Sequence, residues 1–208
     1  MSNDWIKKHK TFFYCIHMWE FLYNFENFKR ICPMGSILLK NILHEESACQ
    51  ILIQGNRISG ILPADAEVNL PADAEVVDCT GKAVLPGCVN MHTHAGMAMM
   101  RGVGEDIVFH EWIDRIWKVE SDIDEEYVYH ATKVACLEMI KTGTTTFNDH
   151  YWHMPMAYKA AMEMGLRCGL AYVICDRNDP VESERQKMQC CEMYEYSRQW
   201  GHMSQFVI

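Results

Sequence analysis

From Val84 to its last residue the chain alternates strand-like and helix-like segments, and this alternation constrains the fold more than any other feature. Val84–Met91 reads as a first strand, entered through the Pro86-Gly87 bend. Phe109–Ile116 carries apolar residues at helical spacing. Asp124–Ile140 reads as a longer helix with Tyr127, Val128, Ala131, Val134, Ala135, Leu137 and Met139 on its inward surface. Asp122 or Asp124 can cap that helix, and Thr142-Gly143 ends it. Thr144–Asn148 is a β-branched strand, Pro155–Gly165 an Ala- and Met-rich helix, and Leu166–Ile174 an apolar run of the buried parallel type. Pro180–Trp200 is a polar helix, and Gln205–Ile208 begins a fourth strand. Such repeats favour a parallel sheet with helical cover. Pattern alone leaves open whether that sheet is doubly wound or a barrel.

The preceding residues follow another logic. Ile37–Leu39, Cys49–Gln54 and Arg57–Leu62 read as strands of a meander, with Gly55-Asn56 as one turn. Leu62-Pro-Ala-Asp-Ala-Glu-Val68 recurs as Leu70-Pro-Ala-Asp-Ala-Glu-Val76, a period too short for a solenoid unit and read as a duplicated, mobile loop. Val76–Asp78 and Ala83–Leu85 return to strand character. Residues 1–33 are aromatic-rich, with a basic cluster Lys7-Lys8-His9-Lys10 read as a solvated terminus. They read as an atypical extension or as an N-terminal helix. The expected organisation is thus an extension over 1–33, a partial β domain over 34–83 and an α/β region over 84–208.

The net charge of -9 argues against nucleic acid or anionic lipid as a partner. No apolar stretch reaches the length of a membrane-spanning helix, so no membrane role is expected. The ten cysteines show no CxxC or zinc-finger spacing. Cys88, Cys168 and Cys175 lie in apolar runs and are expected as reduced core residues of a cytoplasmic protein.

Chemistry concentrates at the end of the first strand, in Asn90-Met91-His92-Thr93-His94. Alternate residues of an extended segment face the same way, so His92 and His94 point to one side. Two imidazoles at that spacing can grip one divalent ion. Strand C-termini are also where barrel active sites gather. A bare HxH is more often structural. The apolar run before this one, the Pro-Gly bend and the small residues after it favour a metal site.

Leu85-Pro-Gly-Cys-Val-Asn-Met-His-Thr-His94 resembles the first-strand signature of the amidohydrolase superfamily. Met100–Asp106, Trp112, Glu138–Asp149 and Gly165–Arg167 narrow the resemblance to the branch holding adenosine-type deaminases, guanine deaminase and triazine chlorohydrolases. It covers residues 34–208 and is most specific over 85–149. It implies the first strands, about four, of a TIM-type (β/α) barrel preceded by part of a small β-sandwich.

The resemblance also implies roles. His92 and His94 would bind one catalytic divalent metal ion, zinc first and iron second. Glu120, in Trp117-Lys-Val-Glu, would contact polar substrate groups, although Lys118 stands where proline is usual. A solvated acid beside Asp122 is an equal reading. Asn148 and Asp149 would face the site or its rim, with His150 in reach; helix capping or supporting hydrogen bonds are the alternatives. Trp112 would be a core residue or a pocket wall at the substrate site. Arg101 and Arg167 could meet substrate or neighbouring carboxylates. His153 and His202 have no supporting context. The implied reaction is hydrolytic removal of ammonia or chloride from an electron-poor ring carbon.

The family's remaining ligands and its proton-shuttling glutamate follow later strands, so no catalytic residue is assigned and this chain alone is expected to be inactive. The rival reading is a non-enzymatic truncated paralogue, or one segment of a split protein completed by a C-terminal partner. Besides a small-molecule substrate, a homo-oligomer or such a complementing chain is the expected partner. An open α/β binding domain is disfavoured because no strand leads into a Gly-rich phosphate loop.

Overall fold

A computed structural model describes residues 35–176 and 178–207. The expectations for residues 1–33 lie outside the described residues. The chain divides into two compact units, one running to Gly87 and one starting at Cys88.

The first unit is a four-stranded sheet. Ser36–His44 (β1) pairs antiparallel with Ser47–Gln54 (β2), and β2 pairs antiparallel with Arg57–Pro63 (β3). Glu75–Asp78 (β4) lies parallel to β1, so the order is β3-β2-β1-β4. Leu39, Ile42, Cys49, Ile51, Cys79 and Val84 form its apolar cluster. The pairing of β1 shifts between Leu39 and Ile42, where Asn41 adopts a left-handed conformation. That bulge lets Leu38, Leu39 and Ile42 all be buried.

Both copies of the repeated heptad make the same tight turn, Ala66 N–H to Pro63 O and Ala74 N–H to Pro71 O. The first copy is less free than the sequence suggests. The buried Gln50 amide reaches the carbonyls of Pro63, Ala64 and Ala66 at 2.8–3.1 Å.

Val84 corrects the reading of the first α/β strand. It is buried with the first unit's cluster, its N–H donates to Leu43 O, and Ala83 bridges to Leu43. The α/β strand itself begins four residues later, after the Pro86-Gly87 bend.

In the second unit Cys88–Thr93 (β5), Thr144–Tyr151 (β6), Arg167–Tyr172 (β7) and Ser204–Val207 (β8) are all parallel. Their order is sequential, β5-β6-β7-β8. A doubly wound sheet reverses its order at a switch point; a (β/α) barrel does not. The helices are Phe109–Glu120 (α1), Glu125–Lys141 (α2), Met154–Met164 (α3) and Pro180–Ser197 (α4), with a 3-10 turn at Ala95–Met99. Asp124 caps α2 by accepting from Tyr127 N–H, and Asp179 caps α4 from Val181 and Glu182 N–H. Gly165 closes α3 at φ 74, a left-handed conformation that glycine adopts without strain.

The inward stripe of α2 is Val128, Ala131, Thr132, Ala135, Cys136 and Met139, spaced by three and four residues. Val134 and Leu137 fall off that stripe and are exposed, which corrects their placement from sequence. The stripe and α3 pack Ala135, Cys136, Met154, Ala157 and Ala161 against Phe147, Cys168 and Leu170 of the sheet. Cys168 is therefore a core thiol as expected, whereas Cys88 is exposed and Cys175 half-buried. All described cysteines are free thiols. No described helix is long and apolar enough to cross a membrane.

Candidate metal centre

Side-chain parity on β6 decides what faces the strand ends. Phe147 points to the helices, so Asp149 and Tyr151 do too, and all three are buried. Asn148 and His150 occupy the opposite face, where their partners across the sheet are Gly169 and Ala171. A Cβ at position 169 would lie 2.6 Å from Asn148 Oδ1, so glycine there leaves room for the amide. Of the two sequence readings of Asp149, lining the site or supporting it by hydrogen bonds, its burial on the helix side selects the second.

His92 closes β5 and His94 opens the 3-10 turn. Their rings lie 5.0 Å apart, centre to centre, nearly perpendicular and exposed. Four consecutive residues of β6 hold this turn in place. Thr93 Oγ1 donates to Asn148 O at 2.6 Å. Ala95 N–H donates to Asp149 Oδ1 at 2.9 Å. His94 Nδ1 lies 2.7 Å from His150 O. The Tyr151 ring packs on Gly96, where a Cβ would come within 2.1 Å of it.

A carbonyl oxygen can only accept, so the His94 contact requires the proton on Nδ1. Nε2 then carries a lone pair and is free to ligate. A ligand histidine tied through its other nitrogen to a backbone carbonyl is a recurring arrangement at metal sites. The two imidazoles thus fit a divalent metal as part of its ligand set. Among the described residues no group of three or more His, Cys, Asp or Glu side chains could hold an ion, so further ligands are required.

Electrostatics around the turn follow burial. Burial pushes the Asp149 carboxyl up to about 6, against the Ala95 hydrogen bond and the nearby His94. The His150 backbone N–H and the Thr93 hydroxyl pull the same way as Ala95 and His94, to a lesser extent. Asp149 Oδ2 has no hydrogen-bond partner. Burial lowers the His150 pKa, and the adjacent His94 and His92 lower it further. Burial also raises the Tyr151 pKa, reinforced by the Glu120 carboxylate at its hydroxyl.

The last contact locates Glu120. It ends α1 near enough to Tyr151 for its carboxylate to raise that pKa, while the Tyr151 hydroxyl points at Met100 Sδ, 4.0 Å away, and the Tyr151 ring lies 6.4 Å from that of His94. Tyr151 was not singled out from sequence; its parity with Phe147 was the available signal. Trp112 stacks on Phe109, ring centres 5.9 Å apart, and fills the space above Gly104. Arg101 forms a two-point ion pair with Glu138, with Nη1 2.6 Å from Oε1, so it meets a neighbouring carboxylate. His153 stands in a left-handed conformation at the start of α3 without capping it.

The amidohydrolase family model matches residues 83–201, more than half of the chain. This chain belongs to the amidohydrolase family. It is 40% identical over 151 residues to a 5'-deoxyadenosine deaminase of Methanocaldococcus jannaschii, covering 72% of this chain and 36% of the relative. It is 37% identical over 153 residues to a 5-methylthioadenosine/S-adenosylhomocysteine deaminase of Archaeoglobus fulgidus, covering 74% and 35%. A crystal structure of an adenosine deaminase from Xanthomonas campestris with bound zinc superposes with a TM-score of 0.70 at 26% identity. That superposition covers 84% of this chain and 43% of the other. The amidohydrolase chain described here thus spans about a third of the length of the curated relatives it matches. Its second unit is the first four strands of the family's (β/α) barrel, in the sequential order such a barrel requires.

Proposed function

We propose that these residues form the N-terminal, ligand-bearing part of a metal-dependent aminohydrolase that removes an amino group from an N-heterocycle of the adenosine type. The observation that carries this reading is the His92/His94 pair, with His94 Nδ1 bound to His150 O and Nε2 free. The named activities of the relatives supply the substrate class.

In this reading His92 and His94 hold one divalent ion, zinc before iron. Such an ion supplies Lewis acidity that brings the pKa of a bound water down to about 7. Glu120, at the end of α1, accepts hydrogen bonds from polar groups of the substrate. Asn148 offers an amide to the substrate from the face it shares with His150. Trp112 closes the pocket wall. The exposed Val89 and Met91 fit a face completed by further barrel strands. Among the described residues the two imidazoles fall short of the three protein ligands usual at catalytic zinc, so turnover requires further ligands.

The test is ammonia release from 5'-deoxyadenosine and S-adenosylhomocysteine in the presence of zinc. Two preparations are compared: the chain alone, and the chain joined to the C-terminal remainder of the Methanocaldococcus jannaschii relative. The expected result is activity in the joined protein only, lost in His92→Ala and His94→Ala. Activity that survives both substitutions would overturn the reading.

A further inference from the structure

We propose that Asp149 is a positioning residue for the metal-ligand turn. By accepting the Ala95 N–H, its buried carboxylate fixes the bend that directs His94 Nδ1 to His150 O and leaves Nε2 free. The proposal rests on reading His94 as a ligand, but its geometry stands on the chain itself.

A carboxylate 2% exposed beside Phe147 and Leu170 is costly to desolvate and needs a local reason to be there. Its hydrogen bond goes to the first backbone N–H after His94, across 54 residues of sequence. That N–H belongs to the start of the 3-10 turn, where backbone donors lack partners within the turn. His94 occupies the capping position but makes no side-chain cap, because its imidazole reaches across to His150 O instead. Asp149 takes over the capping role that His94 cannot perform while it is held for ligation.

Asp149 and His150 are adjacent on β6 and grip adjacent residues, Ala95 by its N–H and His94 by its ring. Releasing the first grip lets the turn rotate about His94, and the ring loses its line to the His150 carbonyl. Oδ1 alone makes the bond, and Oδ2 is unpartnered. An asparagine whose carbonyl takes the place of Oδ1 therefore preserves the geometry, and an alanine does not.

The test reads the imidazole tautomers of the full, metal-free chain by long-range proton–nitrogen NMR. In the unsubstituted protein His94 is expected as the Nδ1–H form. Asp149→Asn retains it. Asp149→Ala gives a mixture of tautomers at His94 while the methyl spectrum of the core stays dispersed. Ala95→Pro removes the donor and keeps the carboxylate; proline is tolerated at the start of such a turn. It decides the matter should Asp149→Ala fail to fold, and the same loss is expected. Zinc affinity measured against a chromophoric chelator falls about 10- to 100-fold in the two disruptive variants, the usual cost of losing an outer partner. A folded Asp149→Ala or Ala95→Pro protein with His94 still held as Nδ1–H would overturn the proposal, even if its melting temperature fell. Absence of zinc binding with His94 held as described would instead count against the metal reading alone.

Discussion

Gly96 lies directly against the ring of Tyr151, so close that a Cβ at position 96 would stand 2.1 Å from Tyr151 Cε1. Neither residue can shift freely, because Gly96 lies buried within the 3-10 turn that follows His94 and Tyr151 sits buried at the end of β6. Gly96→Ala is expected to destabilise the second unit by about 1–3 kcal/mol, the usual range for overpacking. In urea unfolding, the cost of Gly96→Ala should shrink when it is measured in a Tyr151→Ala background, the two changes being non-additive. A Gly96→Ala protein that unfolds at the same urea concentration as the parent would show that the contact is not close.

Much of this arrangement was legible in the sequence, and the reasons differ by residue. The strand–helix rhythm after Leu85 exposed the parallel sheet, and the HxH spacing after an apolar run singled out the His92/His94 pair that the structure places 5.0 Å apart at the strand end. The start of the first α/β strand was misplaced because Val84 is as apolar as a barrel strand requires. Only tertiary packing shows that it completes the small sheet beside Leu43. On α2, counting apolar residues put Val134 and Leu137 inside. The helical period puts Thr132 and Cys136 there instead, both fully buried. For Asp149 the sequence left open the pocket rim or a supporting hydrogen bond, and its parity with Phe147 decides for the latter. The influence of Glu120 on Tyr151 could not be read at all, since it depends on where α1 comes to rest.

Gln50 ties down one copy of the repeated heptad and leaves the other to itself. Replacing it with alanine removes the donor for Pro63, Ala64 and Ala66 carbonyls. The expected cost is about 1–3 kcal/mol for buried groups left unpaired. Hydrogen exchange should accelerate at Ala66 and remain unchanged at Ala74, whose turn has no such side-chain anchor among the described residues. Equal acceleration in both copies would contradict the assignment.

Thiol reactivity should separate the cysteines by burial. Desolvation pushes Cys136 and Cys168 up to about 12, so almost no thiolate is present at pH 8. Cys88 and Cys191 are exposed. Alkylation followed by peptide mass spectrometry should modify Cys88 and Cys191 within minutes, and Cys136 and Cys168 only after denaturation. Early modification of Cys136 would show that α2 does not cover the sheet as described.

At the start of α4, hydrogen bonds from Arg185 and Gln186 hold the Glu182 carboxyl down to about 2. A folded pKa below the unfolded one contributes stability above the unfolded value, and that stability is lost as pH falls through the folded one. The helix start should therefore loosen between about pH 4 and pH 2. Glu182→Gln should flatten that dependence. Carboxyl carbon NMR that places the Glu182 midpoint at an ordinary glutamate value would contradict the pairing.

The central claim is that His92 and His94 ligate the same metal ion, and X-ray absorption on the zinc-loaded chain tests it most directly. The account predicts two imidazole ligands at about 2.0–2.1 Å, with the remaining positions filled by oxygen. It also predicts loss of imidazole scattering in His92→Ala and His94→Ala. A zinc environment built from thiolate sulfur at about 2.3 Å, or one unchanged by those substitutions, would contradict it.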